Sequence, residues 1–483
     1  MEIFMSKKGI GIIFALVSIF LFVNGVANFG YISGSKFVQM VILLLCLLLI
    51  ALGVKRVLNY LAEEKVFVVL YCVEKKMKTT EIVTVTVFLL ITLITRVLAA
   101  VKLEASVKEV EFEHIDVLFP AQKIYQDITG VFQGIAGTVL TGYEITNIIM
   151  SLLSVILIYL IVRTMYGRSG GFAALFISAL WPSHILGVIY NNDKYFCTAL
   201  FLAVIYFFLM LRRTKLWPVF SVLSGIALGM LAYMQTSMYI LFVVFIASVF
   251  VRGEEGRKKT FGQNVIHRIP AIVISLVIAC LVITIVNGKV AGDLDVEKKK
   301  VTGVSGYELL TGLNAENIGS ENKDDYNFLM ENYGESGNAK DAQYVCIGEA
   351  GKRFGEKKGE SLNLILKKAQ YIFGCGYNLE MRKDMSQSNI IYLEDAYYLL
   401  ILLATGIFAI ELLQRTHHGN VNFIIVIGIL TVLSGAVFMF EETVQMQFGY
   451  IMAICSSAII SIVYRRRLNV GNAERKEKER IAN

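Results

Sequence analysis

Residues 82–101 read IVTVTVFLLITLITRVLAAV, and shortly afterwards 111–125 read EFEHIDVLFPAQKIY. The first run carries a single charge, Arg96, and is long enough to cross a membrane as a helix, which takes about 20 mainly apolar residues. The second is a polar, acidic island with Asp116 at its centre. Together they describe a span that ends at a water boundary lined with carboxylates. The rest of the chain repeats the first pattern. Its 483 residues are 56% hydrophobic and 18% charged, with a mean hydropathy of +0.62. A soluble chain carries nearer a quarter charged residues, so the expected fold is an all-α polytopic membrane protein. Four prolines and 39 glycines exclude a collagen-like or disordered chain. Of the seven cysteines, Cys46, Cys197, Cys280 and Cys455 fall in apolar runs and read as small hydrophobes. Cys346 and Cys375 share a polar segment and could pair.

Runs that can span are 9–28, 37–54, 82–101, 145–162, 172–190, 195–211, 216–233, 236–251, 269–287, 393–413, 421–440 and 446–464, about twelve helices. Lys7 and Lys8 precede the first with no small-residue cleavage site, which reads as a retained helix. The net charge of +7 would suggest nucleic acid in a soluble protein. Here Lys and Arg gather in alternate short connections: Lys55 to Lys78, Arg163 with Arg168, Arg212 to Lys215, Arg252 to Arg268, and the tail Arg465 to Arg480. The positive-inside bias then makes both termini cytoplasmic. Segments 102–144 and 289–392 fall outside, the second with an amphipathic helix expected over 341–370. Segment 57–80 is cytoplasmic, with an interfacial centre at 66–72. The organisation is 1–81, two additional spans; 82–288, a transmembrane core with the loop 102–144; 289–392, an external segment; 393–464, the last spans; and 465–483, a basic tail.

Five places could carry chemistry. Asp116 begins an amphipathic stretch, 116–133, that would lie along the membrane surface; its carboxylate could be a catalytic base or only a helix cap. Tyr190-Asn-Asn-Asp-Lys194 turns between two spans on the same side, where Asp193 and Lys194 could meet a phosphate and orient an acceptor, or simply form a polar turn. Arg96, inside its span, either reaches an anionic lipid or snorkels to the interface. In Trp181-Pro-Ser-His184, Pro182 should kink the fifth span and His184 reads as an internal histidine. Glu441-Glu442 reads as a water boundary. Cys and His never cluster at zinc spacing, and no phosphate-binding glycine loop or dinucleotide fingerprint occurs. No cofactor is expected, and the acids are too dispersed to argue a divalent-metal site. No cytoplasmic domain is long enough for a nucleotide sugar, so a transferase of this build would draw its sugar from a lipid carrier.

An Arg in an early helix, an external acidic loop with Asp116-x-Leu-Phe-x-Ala121 after it, and Asn192-Asp193-Lys194 between two later helices resemble the GT-C superfamily of membrane glycosyltransferases. The likeness is to the bacterial branch related to protein O-mannosyltransferases and the lipid A aminoarabinose transferase. Gly312-Leu-Asn314, Asn322-Lys-Asp-Asp, Gly351-Lys-Arg-Phe and Leu362 to Lys368 are similar to the segment of many Gram-positive members. The resemblance covers about residues 82–465. It implies a polyprenyl-phosphate sugar donor, with Asp116 as general base for an inverting attack by an unknown glycan, lipid or protein acceptor. It implies Asp193 as the second acidic site, and Arg96, Lys194 and Tyr450 as donor-phosphate contacts. The Arg that often precedes the Tyr is absent, the stretch reading Gln445-Met-Gln-Phe-Gly-Tyr450. Two other classes were weighed. A flippase predicts inverted repeats and charges at the midplane of several helices, which are not evident. A glycan polymerase or ligase would use Arg and His in its large external loop, and 289–392 has few Arg and no His.

Overall fold

The computed structural model describes residues 16, 77–103, 116–134, 140–211, 213–248, 261–316, 319, 322–356, 358–373, 389–414, 419–438, 443–459 and 461–462. The expected spans 9–28 and 37–54, the interfacial centre 66–72, Glu441-Glu442, Cys375 and the basic tail lie outside them. Every regular element among the described residues is helical. Five helices are long and apolar enough to cross a membrane, or six if a bent pair counts as one span. They are α1 (Met77–Lys102, apolar from Glu81), α3 (Gly142–Tyr166), α6 (Lys194–Leu211), α7 (Trp217–Met234) and α9 (Phe261–Asp293, apolar from Ile269), with the pair α4 (Arg168–Ala179) and α5 (Pro182–Leu186). Between α1 and α3 lies α2 (Pro120–Gln133), and after α7 comes the short α8 (Ile240–Ser248).

Charges fix α1 against α3 at both ends. Glu81 accepts from Arg163 Nε at 2.6 Å and Arg168 Nε at 3.0 Å. Fifteen residues on, Arg96 Nε donates to Ser151 Oγ at 2.6 Å. Glu81 meets the last turn of α3 and Arg96 meets its first half, so the two helices run antiparallel. At 1.5 Å per residue the two contacts are about 22 Å apart, most of a hydrocarbon core. The outer face of α1 shows Ile82, Val83, Val87, Leu90, Ile94 and Leu98 to the surroundings, and α9 shows Ile269, Val273, Val277, Leu281 and Ile285 at a four-residue repeat. Such unbroken apolar stripes suit lipid.

Helices α7 and α9 meet through small residues. A Cβ on Gly225 would lie 2.5 Å from the Ser275 carbonyl oxygen, and one on Gly229 would lie 2.6 Å from that of Ala279. Two glycines four apart against Ser275 and Ala279, also four apart, bring the backbones into direct contact, the arrangement that replaces hydrophobic drive between membrane helices.

The fifth expected span is broken. Its two pieces are bent by 60° across Leu180 and Trp181, and Pro182 stands at the start of the second piece. The ring would clash with the preceding turn and carries no N–H, so the kink expected there is found.

The polar segment folds as α10 (Gly306–Gly312), α11 (Lys323–Ser336), α12 (Ala339–Glu356) and α13 (Lys358–Phe373). The amphipathic helix expected over 341–370 corresponds to α12 and α13, between which only residue 357 lies outside the described residues. Gly337, at φ +57°, ends α11 in the left-handed region and donates its N–H to the Tyr333 carbonyl. The motif residues quoted above hold this segment together. Asp325 is buried, paired with Arg353 at 2.7 Å, and accepts from Asn314 Nδ2 at 2.9 Å. The buried Lys368 ammonium donates to the carbonyls of Gly312, at 2.9 Å, and Phe438. Cys346 is a buried, free thiol that burial and the Asp325 carboxylate push up to about 12. The chain closes with α14 (Asn389–Gln414), α15 (Gly419–Val437) and a helical run over 443–459.

Candidate active site

Asp116 lies in a turn ahead of α2, half-buried, and is followed by the buried Val117 and Leu118. The helix does not start there. Its first residue is Pro120, the capping position is Phe119, and no side chain caps it. Proline at the first helical position needs no N–H partner, which explains the later start. The capping role weighed for Asp116 is thus not the one it plays. The turn is pinned from the polar segment instead. Leu118 O accepts from Gln343 Nε2 at 3.0 Å, Gln343 Oε1 accepts from Tyr307 N at 2.9 Å, and the Phe119 and Tyr307 rings meet edge to face at 5.8 Å. Asp127, further along α2, bridges Lys123 at 3.3 Å and Lys289 of α9 at 3.2 Å.

The start of α3 brings the two acidic places together. Thr141 and Glu144 form a reciprocal capping box, and Gln133 Oε1 accepts from Gly142 N at 2.7 Å, which sets the corner between α2 and α3. One turn on, Asn147 is fully buried. Its Oδ1 accepts from the Tyr125 hydroxyl at 3.2 Å, and its Nδ2 donates to the carbonyls of Val188 at 3.1 Å and Tyr190 at 2.9 Å. Tyr125 is on the helix that Asp116 leads into, and Tyr190 opens the turn that holds Asp193. A single amide therefore ties one acidic place to the other.

In that turn Asp193 is half-buried and accepts from Cys197 Sγ at 3.4 Å. Desolvation holds its carboxyl above the usual range, against the opposing pull of that bond and of Lys194. Lys194 is buried, its ammonium 5.6 Å from the centre of the Tyr190 ring.

Arg96 and Tyr450 sit deeper. Arg96 is fully buried, so it does not snorkel. Besides Ser151, its guanidinium donates to the carbonyls of Ala179 at 3.2 Å, Thr92 at 3.3 Å and Ser178 at 3.4 Å. Tyr450 is fully buried, its ring stacked on His184 at 4.5 Å, and His184 stacks in turn on Trp181 at 4.8 Å. Arg96 lies within electrostatic range of Tyr450 and Tyr195. The expected contacts to a donor phosphate thus divide into two layers, with Lys194 at the turn and Arg96 and Tyr450 behind it.

Three residues of this architecture were not singled out in the sequence: Asn147, Gln343 and Glu394. Glu394, fully buried on α14, accepts from Trp181 Nε1 at 2.8 Å and from Ser183 N and Oγ, both at 2.9 Å. A lone amide at 147 and a carboxylate at 394, each inside an apolar run, were the available signal, since polar groups there are costly.

The fold and site define a polytopic helical membrane protein with one broken span and two acidic turns joined at one end of the bundle. Residues 127–284, about a third of the chain, match the family model for dolichyl-phosphate-mannose-protein mannosyltransferases. The resemblance drawn from the motifs, to the GT-C superfamily in its protein O-mannosyltransferase-related branch, stands on that match. No curated protein matches. Among solved structures the chain is similar to the oligosaccharyltransferase of Archaeoglobus fulgidus, at 13% identity over 81% of this chain and 51% of that one, TM-score 0.45. The same archaeal enzyme, AglB, in complex with an inhibitory peptide and a dolichol-phosphate, gives 12% identity over 83% and 52%, TM-score 0.43. ArnT from Cupriavidus metallidurans bound to undecaprenyl phosphate gives 9% over 80% and 78%, TM-score 0.31. The chain spans about half the length of the archaeal enzyme.

Proposed function

We propose that this protein is an integral membrane glycosyltransferase that moves a sugar from a polyprenyl-phosphate carrier to an acceptor on the external face of the membrane, with inversion. Asp116 is the general base: its half-exposed carboxylate is spent on no helix cap and can take a proton from an acceptor hydroxyl or amine. Asp193 orients the acceptor or the departing phosphate, and Lys194 meets that phosphate, with Arg96 and Tyr450 behind it. Both termini are cytoplasmic in this reading, and no cofactor is required. The observation that carries it is the Asn147 amide, which joins the Asp116 side to the Asp193 side; Asn147 and the Asp193 turn lie within the matched residues 127–284. The lipids bound by the similar archaeal and Cupriavidus enzymes support the donor class.

The test is transfer of label from polyprenyl-phosphate sugars in membranes carrying the wild type, Asp116→Asn and Asp193→Asn. Loss of the base should lower transfer at least a hundredfold, the usual scale of general-base catalysis. A folded Asp116→Asn protein with full transfer would remove Asp116 from this role.

A further inference from the structure

The break between α4 and α5 exposes backbone that a membrane cannot solvate. Each unsatisfied N–H or C=O costs several kcal/mol in hydrocarbon, so every such group needs a partner. On one side, the last carbonyls of α4, Ser178 O and Ala179 O, receive the Arg96 guanidinium. A cation at a helix C-terminus also meets the negative end of the helix dipole. On the other side, Glu394 collects the Ser183 N–H, the Ser183 hydroxyl and the Trp181 indole N–H. Three residues along α14, and hence on the same face, Tyr397 donates its hydroxyl to Ile177 O at 2.7 Å. The short piece is then carried forward. Tyr195 donates to His184 O at 2.9 Å, and Asn147 takes Val188 O and Tyr190 O, which leads directly into Asp193 and Lys194.

We propose that Arg96 and Glu394 are positioning residues for the transfer reaction: from opposite sides of the break they hold segment 180–190, and through it they fix the turn that presents Asp193 and Lys194. The role in turnover rests on the transferase reading above; the mechanical part does not. Nε and both terminal nitrogens of Arg96 are engaged on Ser151, Thr92, Ala179 and Ser178, so no paired edge of the guanidinium is left to fork onto a phosphate, and in the clamp these bonds stay formed throughout turnover. Neither residue touches substrate. Glu394 works by accepting three donors at once, so an amide of the same length keeps part of the arrangement and a methyl keeps none.

The experiment has two readouts on the full-length protein in detergent or membranes. The first is maleimide labelling of Cys197, which is buried and hydrogen-bonded to Asp193, measured by mass spectrometry as the labelled fraction of that residue in each variant. The second is the kcat and KM for transfer from a polyprenyl-phosphate sugar. Arg96→Ala and Glu394→Ala should each raise the rate of Cys197 labelling at least tenfold over the wild type. They should lower kcat at least tenfold while donor KM stays within about twofold, with Glu394→Gln restoring most of both. Ser183→Ala, which removes one of Glu394's partners, should give an intermediate gain in labelling, and it serves if the alanine variants do not fold. Cys197 protected as in the wild type in folded Glu394→Ala or Ser183→Ala protein overturns the clamp. So does a rise in donor KM at unchanged kcat in Arg96→Ala, which would make Arg96 a phosphate ligand. If the wild type transfers no sugar, the transferase reading fails and the labelling still decides the clamp.

Discussion

Asn147 does more for the candidate site than its place in an apolar run suggests. Replacing it by Ala leaves the Tyr125 hydroxyl and the Val188 carbonyl without this partner, while the Tyr190 carbonyl keeps the Asn192 N–H at 3.0 Å. At about 1–3 kcal/mol for each of these two groups, the loss should be roughly 2 kcal/mol or more. The purified variant should melt several degrees lower and transfer sugar poorly, which thermal unfolding and the label assay will show together. Asp193 gives a pH signature. Its carboxyl is held above the ordinary range by burial, so the native state binds its proton more tightly than the unfolded chain does. Its contribution to stability is then full below the unfolded value, about 3.9, and is lost as pH rises through the native value. Asp193→Asn removes this loss. The melting temperatures of variant and wild type should lie together near pH 4 and separate upward, with the variant the more stable at neutral pH; parallel curves would show that desolvation does not govern this carboxyl. From the sequence, Asp116 and Asp193 were visible as acids at span ends. That one amide joins them was not, because the pairing runs between α3 and residues about forty further on, and no local spacing encodes it.

At the level of elements, length and hydropathy placed the five or six spans found among the described residues, and Pro182 was enough to place the break. The partners that make the break tolerable were hidden: Glu394 belongs to a helix more than two hundred residues downstream of Ser183. The glycine contact between α7 and α9 was equally silent, since Gly225 and Gly229 sit among many glycines and their meaning depends on which helix faces them. Gly229→Leu should force the two backbones apart. Overpacking of this kind costs about 1–3 kcal/mol, and here the obstacle is backbone rather than a side chain that can turn away. A fall in thermal stability in detergent, with α1 and α3 still able to be cross-linked, is the expected result. The motif-bearing stretches from Gly312 to Lys368 were read as a family likeness. The structure gives them a plain task, the Asn314–Asp325–Arg353 network and the Lys368 ammonium that close the polar segment on itself.

For the whole molecule, the sequence predicts about twelve spans and a fixed orientation, and five or six spans are found among the described residues. The alternation of basic connections is an electrostatic argument about insertion and leaves no mark on helix packing, so labelling in cells is the means to check it. A cysteine introduced at Asp341, exposed on α12, should react with an impermeant maleimide on intact cells, and one in the tail after Arg465 only after permeabilisation; the reverse pattern would invert the proposed topology.

The broken span also has a consequence for biogenesis. The donors at Trp181 and Ser183 must leave the ribosome, and enter the bilayer, long before Glu394 exists to receive them. Until α14 is made, the hairpin of α4 and α5 is an unfinished membrane element with unmet polar groups, the kind of nascent segment that an insertion chaperone shelters or a quality-control protease removes. A chain truncated ahead of α14 should therefore be degraded faster than one truncated just after it. In that sense the C-terminal helices are the step at which the cell learns whether the candidate site has been completed.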